Sequence, residues 1–190
     1  VDDKKVIFNS PDILAYLDAE YPRFPLDPQN EESLLAIKEW ETLADCVVGA
    51  HVRKICYATM LDHPDIIIPI FAQGGPWYSR FVMKKIFPEV RSKMRKYLKL
   101  NTEEVKISLH ELDVVKDKVL NRVKNHEYLV GNNFTRADLS VAALFAPFFS
   151  PDKYGLEWPQ RYPEPLQSII DDYSDVGVWV KNIYKKHREE

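Results

Sequence analysis

The chain has 190 residues, is 45% hydrophobic and 29% charged, and carries a formal net charge of -3 at pH 7. These values exclude a disordered or fibrous chain, and a weakly acidic balance argues against nucleic acid as the main partner, because phosphate-binding domains are usually basic. No apolar run reaches the roughly 18 residues that a membrane helix needs, and VDDKKVIFN lacks the layout of a signal peptide, so a cytoplasmic location without a membrane partner is expected.

Val6 to Phe8 reads as a short strand. Ser10 then suits an N-cap, Pro11 the first helical position and Asp12 the first turn, with Ile13, Leu14, Tyr16 and Leu17 on the apolar side of a helix ending near Pro22. A lone strand cannot satisfy its own ladder groups. With no second strand legible downstream, its partners are expected before Val1.

RFPLDPQN reads as an exposed linker. Asn30 caps the next helix, Glu31 and Glu32 favour its first turn, and Leu34, Leu35, Ile37, Trp40, Leu43, Ala44, Val47 and Val48 carry it toward Met60. DHPDIIIPIFAQGGPW breaks the pattern and is expected to be a loop with at most a short helical turn. Val82, Ile86, Val90 and Met94 then mark a core-facing stripe, with Pro88 as a kink or break.

Asn101 and Glu104 open a helix striped by Val105, Leu109, Leu112, Val115, Val119 and Val123. A further helix is expected from Thr135 to about Ala146. Prolines at 147, 151, 159, 163 and 165 confine the following segment to irregular structure. Two last helices are expected over 165–173 and 175–187, the second docking through Val176, Trp179, Val180, Ile183 and Tyr184.

Thr135 and Asp138 have the spacing of a capping box, and Phe134 and Leu139 that of its hydrophobic staple, so both polar residues are read as structural caps. Cys46, His51 and Cys56 point to different sides of one helix, which denies them convergent metal ligation; the two cysteines lie about 15 Å apart along it, too far for a disulfide. No metal site is expected. From Arg80 to Lys99 eight basic residues face Glu89 alone; with one face kept for the core, they read as a solvated face, with acidic polymers as a further possibility. No nucleotide, zinc-protease or serine-nucleophile motif occurs, so no catalytic residue is singled out.

VDDKKVIFNSPDILAYLDAEYP resembles the last strand and helix of the thioredoxin-like domain of glutathione transferases, and YLVGNNFTRADLSVAALFAP resembles the capping-box segment of their helical domain. The resemblance implies a mainly α fold. Residues 1–22 would end a thioredoxin-like α/β domain, 23–30 would form a linker, and 31–190 the all-helical C-terminal domain. It also implies a glutathione transferase-like protein that conjugates or reduces electrophilic small molecules with glutathione thiolate.

Glutathione would be substrate, with no separate cofactor; a small hydrophobic electrophile and a second copy of the chain would be the partners. Ser10, with Asn9 in place of the family's acidic or Gln neighbour, would hold the γ-glutamyl end. Asp45, His51 and Arg53 are candidates for the co-substrate pocket. The family's activating Tyr, Ser or Cys has no counterpart in these residues. The alternative is a non-catalytic transferase-like module for interaction or assembly.

Overall fold

The structure, a computed structural model, describes residues 6–8, 10–22, 25, 26, 28 and 30–188. Among them the regular structure is entirely helical. Helix α1 (Ser10–Glu20) precedes α2 (Glu31–Leu43), which continues through a π-helical segment (Ala44–Val48) into α3 (Gly49–Met60). Then follow α4 (Pro64–Phe71), α5 (Ser79–Tyr97), α6 (Thr102–Val123), α7 (Arg136–Phe149), α8 (Leu166–Asp171) and α9 (Ser174–His187).

Side-chain caps start the two longest runs as the sequence predicts. Asn30 accepts from the Ser33 amide at 2.8 Å and Asn101 from the Glu104 amide at 2.9 Å, each meeting a donor left free at a helix start. The π segment has a packing consequence. Trp40, Ala44, Val48 and Val52 recur every four residues, and in a regular α-helix each such step overshoots a full turn by about 40°. The wider π turn absorbs that drift, and all four side chains are buried.

Helix α7 is the centre of the molecule. Eight of its 14 residues are buried, and it packs against α2, α3 and α9. Glu41 faces Arg136, and a Cβ at Gly49 would lie 3.0 Å from Leu144, so α2 and α3 run alongside α7 in the same direction. Gly177 lets α9 approach closely; a Cβ there would meet the Phe149 ring at 2.8 Å. Val176, Trp179, Val180 and Ile183 are buried from that helix, as its stripe predicts.

Several expectations need correction. Val6–Phe8 is not a strand; without a pairing strand its amides have no ladder, and Phe8 is exposed. The described residues before Glu31 thus show one helix and no α/β unit. The expected loop after Asp62 contains α4, because Pro64 occupies the helix start, where its missing N–H is not needed. Neither Pro88 nor Pro147 ends its helix: α5 runs on to Tyr97 and α7 to Phe149.

The core stripe of α5 is also shifted. Val82 and Ile86 are 44% and 42% exposed, whereas Phe87 is buried and Met83, Met94 and Leu98 pack against the core.

Candidate functional site

The first turn of α1 is held by a buried charged pair. Arg136, at the start of α7, donates from Nη1 to the Pro11 carbonyl at 3.2 Å and lies 3.6 Å from Glu41 Oε1 on α2. Both side chains are buried, so each guanidinium or carboxylate left alone would carry a large desolvation cost. The pair therefore joins α1, α2 and α7 at one point. Ser10 stands exposed at the N-terminus of α1 directly before Pro11, where a hydroxyl and free amides favour a carboxylate. Asn9 lies outside the described residues.

Beneath that point the start of α7 is fixed by Asp138. Its Oδ2 accepts from the Thr135 amide and hydroxyl, both at 3.0 Å, and its Oδ1 accepts from the Leu129 amide at 2.8 Å. The Thr135 side chain in turn takes the Asp138 amide, completing the capping box. Burial pushes the Asp138 carboxyl above the usual carboxylate range, against the pull of these donors on the charged form.

From the other side Arg122 Nε donates to the Leu129 carbonyl at 2.9 Å and the Tyr128 carbonyl at 3.2 Å, and its Nη2 to the Gly131 carbonyl at 3.2 Å. Gly131, at φ 63, makes the left-handed turn this loop needs. Phe134 lies stacked 4.0 Å from the His187 ring. Thr135 and Asp138 thus shape the floor on which Arg136 stands, and neither offers a free polar atom for chemistry.

The three pocket candidates lie apart. Asp45 is exposed in the π segment, one turn beyond Glu41 and so about 6 Å further along the helix. Arg53 is exposed twelve residues beyond Glu41, about 18 Å along. His51 is turned toward α6: Ser108 Oγ donates its hydrogen to the Glu104 carbonyl at 2.8 Å, so His51 Nδ1 donates to that Oγ at 2.9 Å. Burial, with Lys54 nearby, lowers the His51 pKa, which suits a neutral ring in a structural contact. Of the three, only Asp45 lies near the level of Ser10.

A cleft of about 530 Å³ opens over the loop after α7, lined by Gln73, Ser150, Tyr154, Trp158 and Gln160 among others. Tyr154, pushed up to about 12 by burial, offers it a neutral hydroxyl. Since α7 is about 21 Å long, this cleft and Ser10 lie at opposite ends of that helix.

Sequence reasoning passed over Arg136 and Glu41. A signal for each was present: Glu41 falls between the buried Trp40 and Ala44, and Arg136 sits between the cap and the apolar run of α7. Cys46 is exposed and Cys56 buried, its thiol pushed up to about 12 by burial and so unreactive.

Comparison with known proteins adds a family to this geometry. The family model for the glutathione S-transferase C-terminal domain matches residues 78–184. Elongation factor 1-gamma 1 of Saccharomyces cerevisiae is 33% identical over 63 residues, which covers 33% of this chain and 15% of that protein. Glutathione S-transferase omega-like 3 of the same yeast is 31% identical over 72 residues, covering 38% of this chain and 17% of the relative. The alignments thus span less than a fifth of either relative's length. No solved structure matches.

Proposed function

Because that match takes in more than half of the 190 residues, the chain belongs to the glutathione S-transferase family through its C-terminal domain, and on that premise we propose that the intact protein is a glutathione-dependent transferase. Glutathione is its substrate, and a small hydrophobic electrophile is conjugated or reduced by the thiolate. Ser10 and the α1 amides hold the γ-glutamyl carboxylate, and Asp45 stands on the co-substrate side. A homodimer and a cytoplasmic location belong to the same reading. The observation that carries it is the buried Arg136–Glu41 pair bonded to the Pro11 carbonyl, which fixes the helix start beside Ser10 to the family domain.

A hydroxyl given to a charged ligand group contributes roughly 1.5–3 kcal/mol, so Ser10→Ala weakens glutathione binding about tenfold or more. Calorimetric titration of glutathione into the full-length protein, with conjugation assays on electrophiles, tests the reading. Full-length protein that neither binds glutathione nor activates its thiol overturns it.

A second reading, a non-catalytic module used in assembly, is favoured by one finding: a yeast relative is named an elongation factor rather than a transferase. Full-length protein that is stably folded yet inert toward glutathione is its expected result.

A further inference from the structure

The α4–α5 hairpin leaves apolar side chains uncovered at its tip. Trp77 is 93% and Phe81 75% exposed, and Tyr78, Val82 and Ile86 join them on the outer surface. The Trp77 and Tyr78 rings meet edge to face at 5.7 Å, which makes the tip a preformed aromatic element. At about 100° per residue, Phe81, Tyr78, Val82 and Ile86 occupy one sector of α5 spanning roughly 140°, turned away from Met83 and Phe87. The helix therefore has two apolar sides, and the core takes only one.

The charge around this second side has a single sign. Arg80, Lys84 and Lys85 are exposed within the same two turns. From Ile66 to Pro88 the sequence contains no acidic residue. Of the acids that flank this stretch, Asp65 lies in the first turn of α4, at the far end of that helix from the tip, Glu89 is paired with Lys93 at 2.6 Å, and Asp62 with Arg91 and with Arg95, the latter at 2.6 Å. A chain of net charge -3 thus carries a locally cationic, aromatic tip.

We propose that this tip docks on a bilayer surface bearing anionic lipid. Trp77 and Phe81 enter the boundary between headgroups and acyl chains, while Lys85, within the same sector, and Lys84, at its edge, meet the lipid phosphates. Exposed Trp and Phe on a helix start with Lys and Arg around them is the composition of an interfacial element. A second copy is disfavoured as the occupant, because a two-fold contact brings the cationic patch of one chain against the same patch of the other. An acidic polymer would pair with the cations and leave the aromatic rings in water. On this proposal the basic stretch takes a partner in place of a merely solvated role.

Sedimentation of the chain with vesicles of phosphatidylcholine, alone or mixed with phosphatidylserine, tests the proposal. At low salt the chain sediments with the mixed vesicles and is released as salt is raised. Trp77→Ser and Phe81→Ser each weaken binding about tenfold, since each withdraws a large apolar side chain from the boundary. Lys84→Gln and Lys85→Gln each weaken it about fivefold. All four side chains are exposed, so far-ultraviolet circular dichroism stays that of the parent. Failure to sediment with the mixed vesicles overturns the proposal. Undiminished binding by the Trp77→Ser/Phe81→Ser double variant also overturns it, as adsorption by charge alone. A solution dimer that Phe81→Ser dissociates assigns the tip to a second copy instead.

Discussion

Trp40, Ala44, Val48 and Val52 form one apolar stripe, and Val82, Ile86, Val90 and Met94 form another with the same four-residue step. The first is buried from end to end, running alongside α7. In the second, Val82 and Ile86 face outward and Met94 reaches the core. The difference lies in the backbone. The π segment takes up the excess rotation of a four-residue step, whereas α5 is α-helical throughout, so Val82 lies about 120° around the helix from Met94. A periodic stripe therefore fixes which residues share a face only once the pitch of the helix is known. Around α7 the sequence is committed to burial; along the outer side of the hairpin it is not.

The largest effect that could break this contrast is expected at α7 itself. Asp138→Ala leaves the buried amides of Leu129 and Thr135 without an acceptor, and each unmet donor costs about 1–3 kcal/mol. A loss of about 4 kcal/mol in urea-derived stability is expected, with the loop from Tyr128 to Thr135 released. A loss under about 1 kcal/mol would mean that water replaces the carboxylate and that this region is less committed to burial than its accessibility indicates.

Val48→Ala sharpens the comparison within the stripe. Val48 is fully buried at the end of the π segment, and shortening it removes two methyl groups and leaves a cavity, for about 2 kcal/mol by the same measurement.

A smaller effect is expected where the hairpin is tethered. Asp62, in the turn after α3, pairs with Arg91 and Arg95 on α5. Burial alone would raise its pKa, but the hydrogen bonds and charges of Arg95 and Arg91 hold it below the usual carboxylate range. A carboxyl depressed in the folded state stabilises the fold above its unfolded pKa, and that contribution is lost as pH falls through the folded value. The groups are partly exposed, so solvent screening limits the change to below about 1 kcal/mol. Asp62→Asn should abolish this acid-side slope and speed amide exchange in α5 relative to α7.

Legibility in the sequence follows the same division. The caps at Asn30, Asn101 and Thr135 were readable because each acts within four residues of chain. The second oxygen of Asp138 was not, since its donor Leu129 lies nine residues back across a turn. Arg136 was missed because its partners, Pro11 and Glu41, come from two separate helices. The helix α4 was hidden by Pro64, which reads as a breaker unless it is placed at a helix start. Of the expected site, the start of α1 at Ser10 was legible, and its tie to α7 through Arg136 was not. Nothing in the local pattern could have revealed that His51 is engaged by Ser108, a residue 57 positions away.

The smallest effect is the most discriminating. If Val82 belonged to the core, as its spacing with Met94 predicts, Val82→Ala would cost as much as Val48→Ala, about 2 kcal/mol. Its outward position makes the expected change no more than about 0.5 kcal/mol, the range of surface substitutions. Since both changes remove the same two methyl groups, side-chain chemistry cancels between them and the remaining difference reports burial. Equal losses in the two variants would mean that the outer face of α5 is covered in the folded chain. A near-zero loss at Val82, unchanged over a range of protein concentrations, leaves that face open in the free molecule. An open face is the condition under which the aromatic tip is available to a surface outside the protein.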